Sequence, residues 1–202
     1  ELPAGDGGAA RERVDLYPSY VAHLHGLVDV AAFRPYKVVM DAANGVAGKL
    51  APLVFGGSAL DCVEMYFEVD GTFPNHAPNP LLEENSREIR ARVVAEKADL
   101  GIAWDGDADR CFFIDEAGEF VPGDFVTALL AEALLLKNPG ARILYDLRAS
   151  RAVPDVIRAN GGVPLVNRTT RRMSLTPEGE LDLAHARRIL RDIDGLEELL
   201  GA

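Results

Sequence analysis

The sequence has few positively charged residues and no long apolar run. Its 21 Lys and Arg residues are outnumbered by 32 Asp and Glu residues, which gives a formal net charge of −11. A surface with this charge repels nucleic acids and anionic membranes, so neither is expected as a partner. No stretch of about 18 apolar residues is present, so no transmembrane helix is expected.

Cysteine is also scarce. The two cysteines are Cys62 and Cys111, and neither belongs to a C-x-x-C pair or lies near a histidine cluster. A zinc site is therefore not expected. Both residues are interpreted as buried free thiols, which fits a protein of the reducing cytoplasm.

With 48% hydrophobic and 26% charged residues, the overall composition is typical of a globular protein. Short apolar runs alternate with segments of helical periodicity, which predicts the α/β class: a mixed, largely parallel sheet flanked by helices. Strands are predicted over residues 37–41, 62–67, 99–104 and 110–115, and helices over 14–30, 47–55 and 83–97.

A second, partial unit of the same type is predicted to begin near Val121. Its predicted elements are a helix over 124–137, a strand over 142–146, a helix over 151–160 and a strand over 163–166. From Arg171 a basic patch leads into a charged helix, with Thr176 as the N-cap and a break at Asp194-Gly195. No further strand is expected in this tail. The predicted organisation is a flexible segment at 1–13, a first unit at 14–119, a partial unit at 120–170 and a helical tail of unclear origin at 171–202.

Three aspartates, Asp105, Asp107 and Asp109, follow the third predicted strand at alternating positions. In an extended segment such side chains point the same way, and their carboxylates would repel one another. A hard divalent cation such as Mg²⁺ or Ca²⁺ would remove that repulsion. Arg110 follows at once, and its guanidinium can contact a phosphate. The pattern predicts metal-assisted phosphoryl chemistry.

Two other loop types share part of this pattern. In an EF-hand loop Glu116 would take position 12, but position 6 is Arg110 instead of glycine and the predicted flanks are strands, so this interpretation is rejected. In an aspartyl phosphatase loop Asp105 would be the nucleophile. That interpretation leaves Asp109 and Arg110 without an evident role, and it stays open as an alternative.

Four segments, at residues 41–45, 70–80, 98–110 and 146–151, occur in the order found in the α-D-phosphohexomutases. Over roughly residues 14–169 the sequence resembles the bacterial phosphomannomutase/phosphoglucomutase branch of that family. The resemblance implies that 14–119 is a domain like the family's second, and that 120–170 is part of a domain like its third.

The resemblance also implies a role for individual residues. Asp105, Asp107 and Asp109 would hold Mg²⁺, Arg110 would contact the transferring phosphoryl group, and Arg168 would face the substrate. For His76 a hydrogen bond that stabilises its loop is the favoured interpretation. The implied enzyme is an isomerase that moves phosphate between the 1- and 6-positions of a hexose phosphate, of mannose or glucose, through a phosphoserine.

The sequence departs from the family in what it lacks. It contains no Ser-His-Asn-Pro phosphoserine motif, no sugar-recognition loop and no C-terminal phosphate-binding loop. The chain is therefore expected to be a fragment that carries the metal loop and is inactive by itself. A non-catalytic α/β interaction fragment is the alternative. The sequence sets neither the sugar preference nor the oligomeric state.

Overall fold

The computed structural model describes residues 14–146, 148–168 and 173–200, and it divides the chain into two compact units at Phe120–Val121. The elements that begin in the first unit alternate between helices and strands along most of its length. They are α1 (Tyr17–Leu27), β1 (Lys37–Asp41), α2 (Ala47–Phe55), β2 (Asp61–Met65), α3 (Glu83–Glu96), β3 (Leu100–Trp104), β4 (Cys111–Ile114) and β5 (Phe120–Val121).

The strands form one five-stranded sheet in the order β2-β1-β3-β4-β5. Strand β1 is parallel to both β2 and β3, whereas β3 and β4 are antiparallel. The predicted α/β class with a mixed sheet is thus confirmed. Because β1 lies between two parallel neighbours, its carboxyl end and that of β3 lie at the same edge of the sheet.

Successive side chains of β1 point to opposite faces of the sheet. Both faces are packed. Val39 packs with Ile89 and Val93 of α3 on one face. Val38 and Met40 pack with Ala51 of α2 on the other. This accounts for the uninterrupted apolar run of β1, which is typical of a strand covered on both sides.

The second unit has its own core, built around Leu135, Val153 and Ile157. Its elements are α4 (Gly123–Lys137), β6 (Arg142–Ile143), α5 (Ala152–Ala159), β7 (Val163–Pro164), β8 (Val166–Arg168), β9 (Met173–Leu175) and α6 (Pro177–Leu200). Strands β6 and β7 are parallel, and β8 and β9 are antiparallel.

Two expectations for the tail are wrong. Strand β9 follows residue 171, where no strand was expected, because the three residues Met173–Leu175 pair with β8. The backbone of α6 also continues through Asp194 and Gly195. A glycine inside a helix costs only about 1 kcal/mol relative to alanine, so it lowers the helix propensity without ending the helix.

The predicted N-cap of α6 is confirmed, since the backbone N–H of Gly179 donates to Oγ1 of Thr176 at 3.1 Å. We expect Thr176→Ala to lower the free energy of unfolding of the second unit by about 1 kcal/mol, because a helix N–H loses its acceptor. Chemical denaturation followed by circular dichroism measures this change. Thr176→Ser is the control, because it keeps the hydroxyl. Equal stability of the alanine variant and the wild type would contradict the role of this cap.

The expectation that both cysteines are buried is wrong, because both thiols are free and exposed. Cys62 lies on β2, an edge strand whose side chains are mostly outside the core. Cys111 is the first residue of β4, directly after a loop. Among the described residues, no helix combines the length and the apolar character needed to cross a membrane.

Candidate metal centre

The three aspartates and Arg110 lie in the loop of a hairpin that joins β3 to β4. The last β3 residue, Trp104, pairs with the first β4 residue, Cys111. The N–H of Asp105 donates to the carbonyl oxygen of Arg110 at 3.2 Å, which extends the ladder into the loop. The loop therefore has fixed ends at the carboxyl edge of the sheet.

The loop is curled, and not extended as the sequence predicted for the three aspartates. The N–H of Ala108 donates to the carbonyl oxygen of Asp105 at 3.1 Å, and Ala108 has a left-handed backbone with φ of 61°. The curl, and not strand alternation, brings the side chains of Asp105, Asp107 and Asp109 together. One carboxylate oxygen from each lies within 4.8 Å of the others.

Asp105 anchors the loop from inside. Its side chain is only 2% exposed, and its Oδ1 accepts the backbone N–H of Arg110 at 3.1 Å. Its Oδ2 accepts from Nε of Arg110 at 2.6 Å and lies 2.5 Å from Nη2. The guanidinium thus lies directly beside a buried carboxylate, which needs a charged partner.

Arg110 also reaches Asp109, with 3.3 Å between Nε and Oδ1. The hydrogen bond to Asp105 is the main cause that raises the pKa of the Arg110 guanidinium, so this side chain stays charged. Since 59% of the Arg110 side chain is exposed, it can turn towards solvent and towards an anionic ligand. The Arg110 guanidinium is therefore well placed to screen the negative charge of the carboxylates and also to contact a phosphate.

The cluster suits a hard divalent cation. All three donors are carboxylates, the ligand type that Mg²⁺ and Ca²⁺ prefer. Mg²⁺ binds oxygen at about 2.1 Å, so ligand oxygens on opposite sides of it are about 4.2 Å apart. Neighbouring ligands of an octahedral ion are closer still, at about 3.0 Å. The carboxylate oxygens of the loop, within 4.8 Å of one another, would therefore draw together around the ion.

The turn at the end of β1 contacts the metal loop and supports it. The N–H of Val46 donates to the carbonyl oxygen of Gly106 at 3.0 Å. A Cβ placed on Gly45 would lie 2.6 Å from that same oxygen, so the two backbones touch. Ala43 and Asn44 have left-handed backbones, with φ of 48° and 57°. Such non-glycine conformations carry strain and persist only where the surrounding structure holds them.

The segment at 70–80 also packs on the metal loop and covers it. A Cβ placed on Gly106 would lie 3.3 Å from Cζ of Phe73 and 3.4 Å from Cβ of Pro78, so both side chains pack on this glycine. The side-chain amide of Asn75 donates to Oδ1 of Asn44 at 2.8 Å. The sequence marked this segment by resemblance alone, and no local pattern placed it against the aspartates.

His76 forms the hydrogen bond that the sequence favoured for it. Its Nε2 lies 3.0 Å from Oδ2 of Asp41, the last residue of β1. The bond to Asp41 is the main cause that raises the pKa of His76, against the opposing effect of burial. The bond ties the covering segment to the sheet.

Arg168 lies in the second unit, where its backbone ends β8. Its side chain lies outside the part of the chain that the structure describes. The predicted role of Arg168 in substrate binding therefore stays a prediction.

Comparisons with known proteins identify relatives of most of the chain. The family model described as phosphoglucomutase/phosphomannomutase, alpha/beta/alpha domain II, matches residues 18–118. The chain is 41% identical over 163 residues to the phosphomannomutase of Escherichia coli K12, a match that covers 78% of this chain and 36% of that protein. It is 41% identical over 164 residues to a protein of Xanthomonas campestris named phosphohexose mutases, covering 81% and 36% of the two chains.

A solved structure gives the same assignment. The crystal structure of a phosphoglucomutase/phosphomannomutase family protein from Burkholderia thailandensis matches with a TM-score of 0.72 and 39% identity, over 78% of this chain and 34% of that one. The chain thus spans about a third of the length of the relatives it matches. With a matching family model over residues 18–118 and a shared fold, the chain belongs to the phosphoglucomutase/phosphomannomutase family.

Proposed function

We propose that this chain is the metal-binding portion of a phosphomannomutase/phosphoglucomutase, an isomerase that transfers phosphate between the 1- and 6-positions of a hexose phosphate. The observation that carries the proposal is the cluster of Asp105, Asp107 and Asp109, with oxygens within 4.8 Å, beside the guanidinium of Arg110. Membership of the family supplies the reaction class. The aspartyl phosphatase alternative gains no support from these findings.

In this proposal the three aspartates hold Mg²⁺, which when bound neutralises charge on the oxygens of a phosphoryl group. Asp105 fixes the loop through the N–H and the guanidinium of Arg110. Arg110 orients the phosphoryl group through the guanidinium N–H donors that Asp105 does not occupy. Both contributions are positioning and electrostatic stabilisation, on which phosphoryl transfer chiefly depends.

The rest of the enzyme is proposed by the same reasoning. Residues 14–119 would form a domain like the family's second, and residues 120–170 part of one like its third, where Arg168 would contact substrate. The phosphoserine would come from sequence outside these 202 residues. The cytoplasmic location, expected from the scarcity of cysteine, is likewise part of the proposal.

A chimera tests the proposal. Residues 14–169 replace the matching segment of the Escherichia coli phosphomannomutase, and conversion of mannose 1-phosphate to mannose 6-phosphate is assayed with Mg²⁺. We expect turnover, and we expect Arg110→Lys to lower kcat about 100-fold, because lysine keeps the charge and loses the fork.

The matched control is Arg87→Lys, which alters an exposed arginine of α3 and should leave kcat unchanged. A chimera that folds and turns over nothing would favour the non-catalytic interaction fragment. Unchanged kcat in the Arg110 variant would remove that residue from the mechanism.

A further inference from the structure

His76 lies between two oxygens that can only accept hydrogen bonds. Its Nε2 faces Oδ2 of Asp41 and its Nδ1 faces the carbonyl oxygen of Ala77, each at 3.0 Å. A neutral imidazole has one N–H and one bare nitrogen, so it would leave one of these contacts without a proton. Both contacts are satisfied together only when the ring carries two N–H groups and a positive charge.

The surroundings favour that charged ring. The side chains of His76 and Asp41 are 10% and 1% exposed, so the pair is shielded from solvent. The negative charge of Glu88 on α3 also stabilises the charged ring. The rings of Tyr66 and His76 meet edge to face, with 5.4 Å between their centroids, and Tyr66 donates its hydroxyl proton to Glu88. That bond raises the pKa of Tyr66 to about 12, so Tyr66 stays protonated over the pH range in which His76 titrates.

The residues that follow His76 reach the metal loop through the side chain of Pro78. Ala77 accepts the second imidazole N–H, and the next residue, Pro78, packs on Gly106. Gly106 stands between Asp105 and Asp107 in the loop. A short chain of contacts therefore runs from the end of β1, through His76 and Pro78, to the backbone that carries the proposed ligands.

We propose that His76 is a positioning residue. Its protonated ring holds residues 76–78 between Asp41 and Gly106, an arrangement called the clamp below. The clamp sets the magnesium affinity of the aspartate loop. The inference deepens the proposed function and rests on the metal site named there. His76 touches none of the three aspartates, so it acts through Pro78 and Gly106.

The clamp has a defined pH dependence. The pKa of His76 is raised in the folded chain, so the clamp is complete below the unfolded value of about 6.5 and is lost as pH rises through the folded value. Magnesium affinity should therefore fall as pH increases through that range. Simple repulsion between the imidazolium and Mg²⁺ would give the opposite sign, because loss of the positive charge would strengthen binding.

Calorimetric titration of the 202-residue chain with MgCl₂ between pH 6 and pH 9 tests the inference. We expect the Kd of the wild type to rise about tenfold across this range, at the low end of the effects seen when groups that support metal ligands are lost. His76→Gln should bind weakly and show no such dependence, because glutamine cannot become charged. His23→Gln, which alters an exposed histidine of α1, should match the wild type.

A second measurement needs neither metal nor variant. In the wild type without Mg²⁺, the NMR signal of the Gly106 amide should shift with the same midpoint as the ring of His76. A Gly106 signal that ignores the titration of His76, or a Kd that His76→Gln leaves unchanged, overturns the inference while the metal site stands. If the wild type binds no magnesium while Gly106 follows His76, the clamp exists and the proposed metal site is wrong.

Discussion

Replacement of Asp107 by asparagine is expected to weaken Mg²⁺ binding about 100-fold, equivalent to about 2.8 kcal/mol at 1.4 kcal/mol per factor of ten. The change removes one of three clustered carboxylates and leaves the side-chain size almost unchanged. Asp107 is the suitable ligand for this test because it is exposed, whereas Asp105 is buried and accepts hydrogen bonds that hold the loop. The folded state should therefore persist while the affinity falls.

Calorimetric titration with MgCl₂ measures the change, and Glu116→Gln is its control. Glu116 is an exposed carboxylate beyond the loop, at the position that an EF-hand would use for its last ligand. We expect the Kd of the Glu116 variant to equal that of the wild type. An unchanged Kd in Asp107→Asn would remove the basis of the metal site, and a weakened Glu116 variant would reopen the EF-hand interpretation.

The sequence allowed the sheet and the acidic cluster to be predicted because both depend on local signals. The apolar run of β3, the aspartates and Arg110 lie within eleven consecutive residues, 100–110, and β4 follows at once. The strand-and-helix rhythm of the first unit is likewise carried by short-range periodicity. Element boundaries agree with the prediction to within a few residues for this reason.

The geometry of the site could not be predicted in the same way, because long-range contacts set it. Ala108 adopts a left-handed backbone without being a glycine, so its type gives no signal of the curl. His76 and Asp41 are 35 residues apart, and Gly106 meets Pro78 and Val46 from two other segments. Only tertiary packing brings these residues together, and the same limit explains the unexpected strand β9, which depends on pairing with β8.

Gly45 shows how directly such packing bears on function, and Gly45→Ala should both destabilise the first unit and impair the metal loop. The added Cβ would lie 2.6 Å from the carbonyl oxygen of Gly106, 3.0 Å from its Cα and 3.0 Å from the carbonyl oxygen of Ala42. All three are backbone atoms, so no side chain can rotate away to make room. Overpacking of this kind costs about 1–3 kcal/mol, and here the loop must shift. We expect a lower melting temperature and a Mg²⁺ affinity reduced about tenfold, the low end of the effect of losing support for metal ligands.

The control is Gly26→Ala, at a glycine inside α1 where an added Cβ meets nothing within 4 Å. Helix propensity predicts a gain in stability of up to about 1 kcal/mol for this variant, with unchanged magnesium affinity. Thermal unfolding and calorimetric titration on both variants separate the two effects. If Gly45→Ala lost stability and kept its magnesium affinity, the turn would support the fold without positioning the loop. If Gly45→Ala lost both stability and magnesium affinity while Gly26→Ala became more stable, the metal centre would depend on contact between the turn after β1 and the loop after β3. These two segments are about 60 residues apart, and the parallel sheet brings them to one edge.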